Sequence, residues 1–168
     1  MRSAMQVAIP IEAVNGHGQC GQEPDHQHTV GMMMTEMFPP ELVRDAFRAD
    51  NGEFGWTRAQ IPLVVDVLRS QGMGILGGDL WWVRVESTRW DGLIPQRHGP
   101  PAVCMWAVER LPSESWPDFV ERGAPDALAH VERWPNALDL PPGLEGQILC
   151  SLTWVSDLEY DRLTRKAV

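Results

Sequence analysis

The sequence has little lysine, little cysteine and no long apolar run. Lys166 is the only lysine among 14 basic residues, against 23 acidic ones, and the formal net charge is -9. A nucleic-acid footprint needs a basic stripe, so this balance argues against a nucleic-acid partner. A nuclease site of two acids and a lysine is disfavoured too, since Lys166 lies at the extreme C-terminal end. The strong preference for Arg is the usage expected of a GC-rich bacterial genome. The three cysteines, Cys20, Cys104 and Cys150, form no dense framework, which is the usage of a reducing cytosol. Cys104 and Cys150 sit in apolar, strand-like runs and read as small buried hydrophobes. No stretch approaches the ~18 apolar residues of a membrane span. The Met1–Pro10 run is too short and interrupted for a signal peptide. The expectation is a cytoplasmic protein with no membrane partner.

Catalytic signatures are missing as well. There is no Gly-x-Ser-x-Gly elbow. Gly72-Met73-Gly74 and Gly77-Gly78 look like a ligand loop, but they follow a helix pattern and enter a strand pattern. A phosphate cradle runs the other way, from strand into helix.

What is present is ordinary globular material, 43% apolar and 22% charged over 168 residues, enough for one self-sufficient domain. Residues 1–36 mix Gly, Gln, His and Met without sustained period and read as an irregular arm, with one short strand expected at Val7 to Ile11. Met32-Met33-Met34 offers an alternative start of translation, or is a chance run. Residues 37–168 read as a single α+β domain, a small, mostly antiparallel sheet of about three to five strands with helices packed on one face.

Along that domain, Pro39-Pro40 opens a short helix with Leu42, Val43, Ala46 and Phe47 on one face, closed by Asn51-Gly52. Thr57 and Gln60 form a capping box for a second helix carrying Ile61, Val64, Val65 and Leu68, with Gly72 as its left-handed stop. Pro62 pushes that helix start toward Gln60 or bends its first turn. From Ile75 to Glu86 the period becomes two, with a bulge or close backbone approach at Gly77-Gly78. Trp90-Asp91-Gly92 reads as a turn, and Ala102 to Glu109, apolar on both faces, as a central strand. Ser115 caps a third helix that Gly123-Ala124-Pro125 should kink or divide. Gln147 to Val155 is a third strand, and Ser156 with Glu159 caps a last helix.

Few constellations carry chemistry. His17, Cys20, Asp25, His26 and His28 have zinc-like ligand types but no paired spacing, so no metal or other cofactor is expected. Cys104 with His98 or His130 is a weak nucleophile pair, because an apolar-flanked thiol has a raised pKa. Asp79, Glu86 and Asp91 lie around one strand and its turn, where they could serve acid–base work or hold magnesium. Asp79 could instead satisfy local backbone N–H groups. Eight Trp is a high count. Trp81 and Trp82 must face opposite ways on a regular strand, one into the core and the other exposed or covered by the arm. An exposed Trp beside Glu86, Trp90 and Asp91 would make an interaction hot spot, against packing under a loop.

Several pieces in fixed order, Phe54-Gly55-Trp56-Thr57-Arg58, Ile75-Leu76-Gly77-Gly78-Asp79, Trp106, Leu111-Pro112-Ser113-Glu114-Ser115-Trp116 and Phe119-Val120-Glu121-Arg122, with the Gln147–Val155 strand, resemble the immunity protein 40 family of bacterial polymorphic toxin systems. The resemblance spans about residues 37–160. It implies a protein without catalysis that binds a cognate, basic toxin domain and blocks it. The candidate partner-binding residues are then Asp79, Trp81, Trp82, Glu86, Trp90 and Asp91. The alternative is a small enzyme or ligand- or metal-binding domain using Asp79, Glu86 and Asp91.

Overall fold

The computed structural model describes residues 37–85, 89–97, 100–134, 140–144 and 146–166. The elements run α1 (Pro40–Arg44), β1 (Phe47–Arg48), β2 (Phe54–Gly55), α2 (Ile61–Ser70), β3 (Gly74–Arg84), β4 (Trp90–Asp91), β5 (Leu93–Ile94), β6 (Ala102–Val103), β7 (Met105–Ala107), α3 (Trp116–Glu132), β8 (Gly146–Val155) and α4 (Asp157–Lys166). This is an α+β fold with open antiparallel sheets. The main sheet is built on β3, which pairs with β8 along one edge and with β7 and then β4 along the other. The hairpins β1–β2 and β5–β6 are separate two-stranded ribbons.

Alternation along β3 divides the core in two. Leu80 and Trp82 face helices α2 and α3, in a cluster with Trp56, Ile61, Val64, Leu68, Ala124, Ala127, Cys150 and Leu152. Trp81 and Val83 face the other way, in a smaller cluster with Ala49 and Leu149, packed by Phe47 and Trp90. The β1–β2 hairpin reaches this second face because residue 56 joins the sheet. The N–H groups of Trp56 and Cys150 each donate to the other's carbonyl, at 2.9 and 2.8 Å.

The glycines of β3 make the central crossing possible. The ladder with β8 shifts register between Ile75 and Gly77, the expected bulge. Gly77 has φ 153°, and a Cβ there would strike the Trp106 carbonyl. A Cβ on Gly78 would enter the Trp106 ring and the Ser151 carbonyl. At the other end of the turn, Gly72 (φ 69°) closes α2. The Gly72 N–H donates to Arg69 O at 3.0 Å and the Met73 N–H to Leu68 O at 2.9 Å, the paired bonds of a Schellman stop.

Thr57–Gln60 forms a turn ahead of α2, with Gln60 Oε1 accepting from the Thr57 N–H at 2.9 Å, so the helix begins at Ile61 and Pro62 falls harmlessly in its first turn. The Ser156–Glu159 box also forms, Glu159 Oε2 accepting from the Ser156 N–H at 2.8 Å.

Four expectations are corrected. Phe47 belongs to β1, not to the face of α1, which ends at Arg44. Trp90-Asp91 is not a turn but a strand returning along β3, Trp82 opposite Asp91 and Val83 opposite Trp90. Ala102–Glu109 is not a central strand. It breaks at Cys104, and β7 pairs only with β3 among the described strands. Its apolar Val103 and Met105 are therefore exposed. Gly123-Ala124-Pro125 does not divide α3. Gly123 and Ala124 are buried, and Pro125 takes the solvent side, where the carbonyl it leaves unbonded can reach water. The 1–36 arm with its Val7–Ile11 strand, the His17–His28 group and Glu86 lie outside the described residues.

Gly78→Ala is expected to destabilise the fold by about 1–3 kcal/mol, the cost of overpacking a closed site, read as a lower urea midpoint with unchanged slope. An unchanged midpoint would mean that the β3–β7–β8 crossing has slack.

Candidate functional site

Asp79 sits mid-strand on β3, on the face away from α2 and α3. Its cross-strand neighbours are Ser151 on β8 and Met105 on β7. The Trp81 indole, two residues on and therefore on the same face, donates to Asp79 Oδ2 at 2.7 Å. Trp81 is in turn held by rings on two sides. Trp90 stacks on it at 4.6 Å and 12°, and Phe47 meets it edge-on at 6.5 Å. Gly55 lets the β2 backbone close over it, since a Cβ there would lie 3.0 Å from the indole. The Asp79 carboxylate is thus anchored by a side chain rather than by the local backbone amides.

Asp79 lies in the wall of a cleft of about 420 Å³, with Asn51, Glu53 and Phe54 of the β1–β2 hairpin, Ser151 to Trp154 of β8, and Trp90. Glu53 is exposed and accepts from the Asn51 side-chain amide at 2.8 Å. Among the described residues neither Asp79 nor Glu53 joins an ion pair. Burial raises the Asp79 pKa above the usual carboxylate range, the Trp81 hydrogen bond pulls it back, and the Glu53 charge adds to the rise. The cleft therefore combines aromatic walls with carboxylate charge that no cation among the described residues pairs with. No group of three His, Cys, Asp or Glu side chains is placed to hold a metal ion among the described residues.

The five described residues of the six expected separate, Glu86 lying outside the described residues. Asp79, Trp81 and Trp90 come together. Trp82 points to the opposite face, 4% exposed in the helix-side core, beneath the Arg84 guanidinium at 4.9 Å. Asp91, opposite Trp82 in the ladder, shares that face and accepts from the Leu93 N–H at 2.8 Å, a local turn bond. Asp79 and Asp91 thus cannot form one carboxylate pair. Neither Trp81 nor Trp82 is exposed, and the cover over Trp81 is the β1–β2 hairpin with Trp90. Sequence reasoning missed Glu53, Asn51, Ser151 and Thr153. The Asn51-Gly52-Glu53 turn carried a signal, but only as punctuation. Both described thiols are held toward the protonated form. Burial raises both the Cys104 and Cys150 pKa values, with the Asp79 charge adding at Cys150. His130 stacks on Trp106 at 5.8 Å.

No family model matches the chain, and no solved structure matches it significantly. It is similar to a curated protein of Bos taurus, inactive C-alpha-formylglycine-generating enzyme 2, at 29% identity over 142 residues, covering 71% of this chain. The chain spans 46% of that relative's length.

A raised Asp79 pKa means that the folded chain disfavours the charged form. That penalty is present at neutral pH and is relieved as pH falls through the raised value. Asp79→Asn keeps an acceptor for the Trp81 indole and removes the charge. It should raise Tm at neutral pH by up to about 4 °C, the shift that ~1 kcal/mol gives in a domain of this size. The difference should vanish on acidification below the ordinary Asp value of ~3.9. An equal or lower Tm for the variant at neutral pH would show that the site already neutralises the charge.

Proposed function

We propose that the chain is an immunity protein that binds and occludes a cognate bacterial toxin domain in the cytoplasm, with no catalysis of its own. The observation that carries this reading is the carboxylate charge of Asp79 and Glu53, without an ion pair among the described residues, in an aromatic-walled cleft on a chain of net charge -9. Complementary charge steers a basic partner into contact and raises the on-rate. The fixed order of motif pieces from Phe54 to Val155 supports the same class of protein. The bovine relative's name describes an inactive enzyme.

One observation favours a second reading, a small enzyme or ligand-binding domain. A carboxylate with a raised pKa in a cleft is what a general acid or base requires. Asp79 would have to act without Asp91, which lies on the other face, and Ser151 and Thr153 would be its nearest polar company in the cleft.

Co-expression with the toxin encoded beside it is expected to restore growth and to yield a stable complex on co-purification. Rescue should weaken when Asp79→Asn and Glu53→Gln are combined. Cell death despite soluble expression of the chain, with no complex formed, would overturn the immunity reading.

A further inference from the structure

Resting on the reading that a basic protein partner is bound, we propose that the Asp79 cleft is a receptor for a single arginine side chain of that partner. Three observations select the guanidinium. The acceptors are already oriented, Asp79 by the Trp81 indole at 2.7 Å and Glu53 by the Asn51 amide at 2.8 Å, so little rotamer freedom is lost on binding. The charge is unmet, with no ion pair to either carboxylate among the described residues. Trp90, fixed by its stack on Trp81, lines the same cleft. A flat aromatic wall suits a planar, weakly hydrated guanidinium better than a compact ammonium. About 420 Å³ is ample for one side chain and too small for a folded element. Met105, opposite Asp79 in the ladder and 67% exposed, provides an apolar shoulder for the arginine stem or its neighbours.

Capture of the cation would offset the desolvation that Asp79 bears in the free protein. The cleft would thus exchange a small cost in stability for affinity, through a charge pair completed only in the complex.

The test uses the full chain and the probe N-acetyl-arginine methylamide, with its neutral citrulline isostere, its lysine counterpart and calcium chloride as comparisons. The readout is the ¹H–¹⁵N signal of the Trp81 indole, which touches Asp79 directly. The arginine probe should give a saturable shift, the lysine probe a weaker one and the citrulline probe none. Asp79→Asn and, separately, Glu53→Gln on the exposed hairpin should each weaken binding by about tenfold or more. An equal response to citrulline, saturation by calcium but not by arginine, or binding indifferent to both substitutions would overturn the proposal. The two readings fail separately. Arginine binding without any toxin complex would remove the immunity reading and keep the receptor. A toxin complex unaffected by either substitution, with no arginine response, would do the reverse.

Discussion

Strand β3 is hydrogen-bonded along both edges and covered on both faces, and the rest of the chain is arranged to allow this. A strand so enclosed leaves no room for ordinary side chains where its neighbours cross closest. Gly77 and Gly78 meet that demand between the Trp106 backbone and ring on β7 and the Ser151 carbonyl on β8. Once β3 is fixed, strict alternation sends Trp82 to the helices and Trp81 to the hairpin. Two separate hydrophobic clusters follow from one strand. Asp79 lies between Gly78 and the buried Leu80 on this strand, so its position is set by the fold to within the play of one side chain.

The motif pieces that suggested a family turn out to be joints of this arrangement. Arg122 on α3 binds Glu114 at 2.7 and 2.9 Å and Asp126 at 2.9 Å, and its guanidinium also donates to Glu109 O at 2.7 Å. These bonds tie the segment after β7 to the helix, and they depress the Glu114 pKa to about 2, the Arg122 hydrogen bonds being the main cause. The Trp116 indole donates to Gly72 O at 2.9 Å, joining the start of α3 to the stop of α2. Such residues close loops of fixed length. A resemblance built on them speaks to architecture first, and function has to be argued from the Asp79 face.

Local signals were legible in the sequence because their causes are local. The Gly72 stop, the Gln60 and Glu159 return bonds and the bulge before Gly77 each depend on a few adjacent residues. What was not legible depends on partners distant in sequence. Alternation showed that Trp81 and Trp82 diverge, but not that residues 47–55 would fold back over Trp81. Apolar residues on both faces of 102–108 suggested a central strand. The strand instead breaks at Cys104, β7 pairs only with β3 among the described strands, and Val103 and Met105 are exposed. The site was half visible for the same reason. Asp79 and Trp81 share one strand with Trp90 a few residues on, whereas Glu53 reaches the cleft by the hairpin and Ser151 by the pairing of β3 with β8, at a separation no periodicity spans.

The electrostatics of the cleft separate a structural acid from a working one. A carboxylate that serves the fold is usually satisfied within it, as Glu114 is by Arg122, and its pKa falls. Asp79 shows the opposite sign: one indole bond opposes a larger desolvation, and its neighbour Glu53 carries the same charge. The indole bond favours the charged carboxylate, and burial outweighs it. A carboxylate whose charged form burial disfavours, set in the wall of a cleft, is the feature on which a functional reading of this face has to rest.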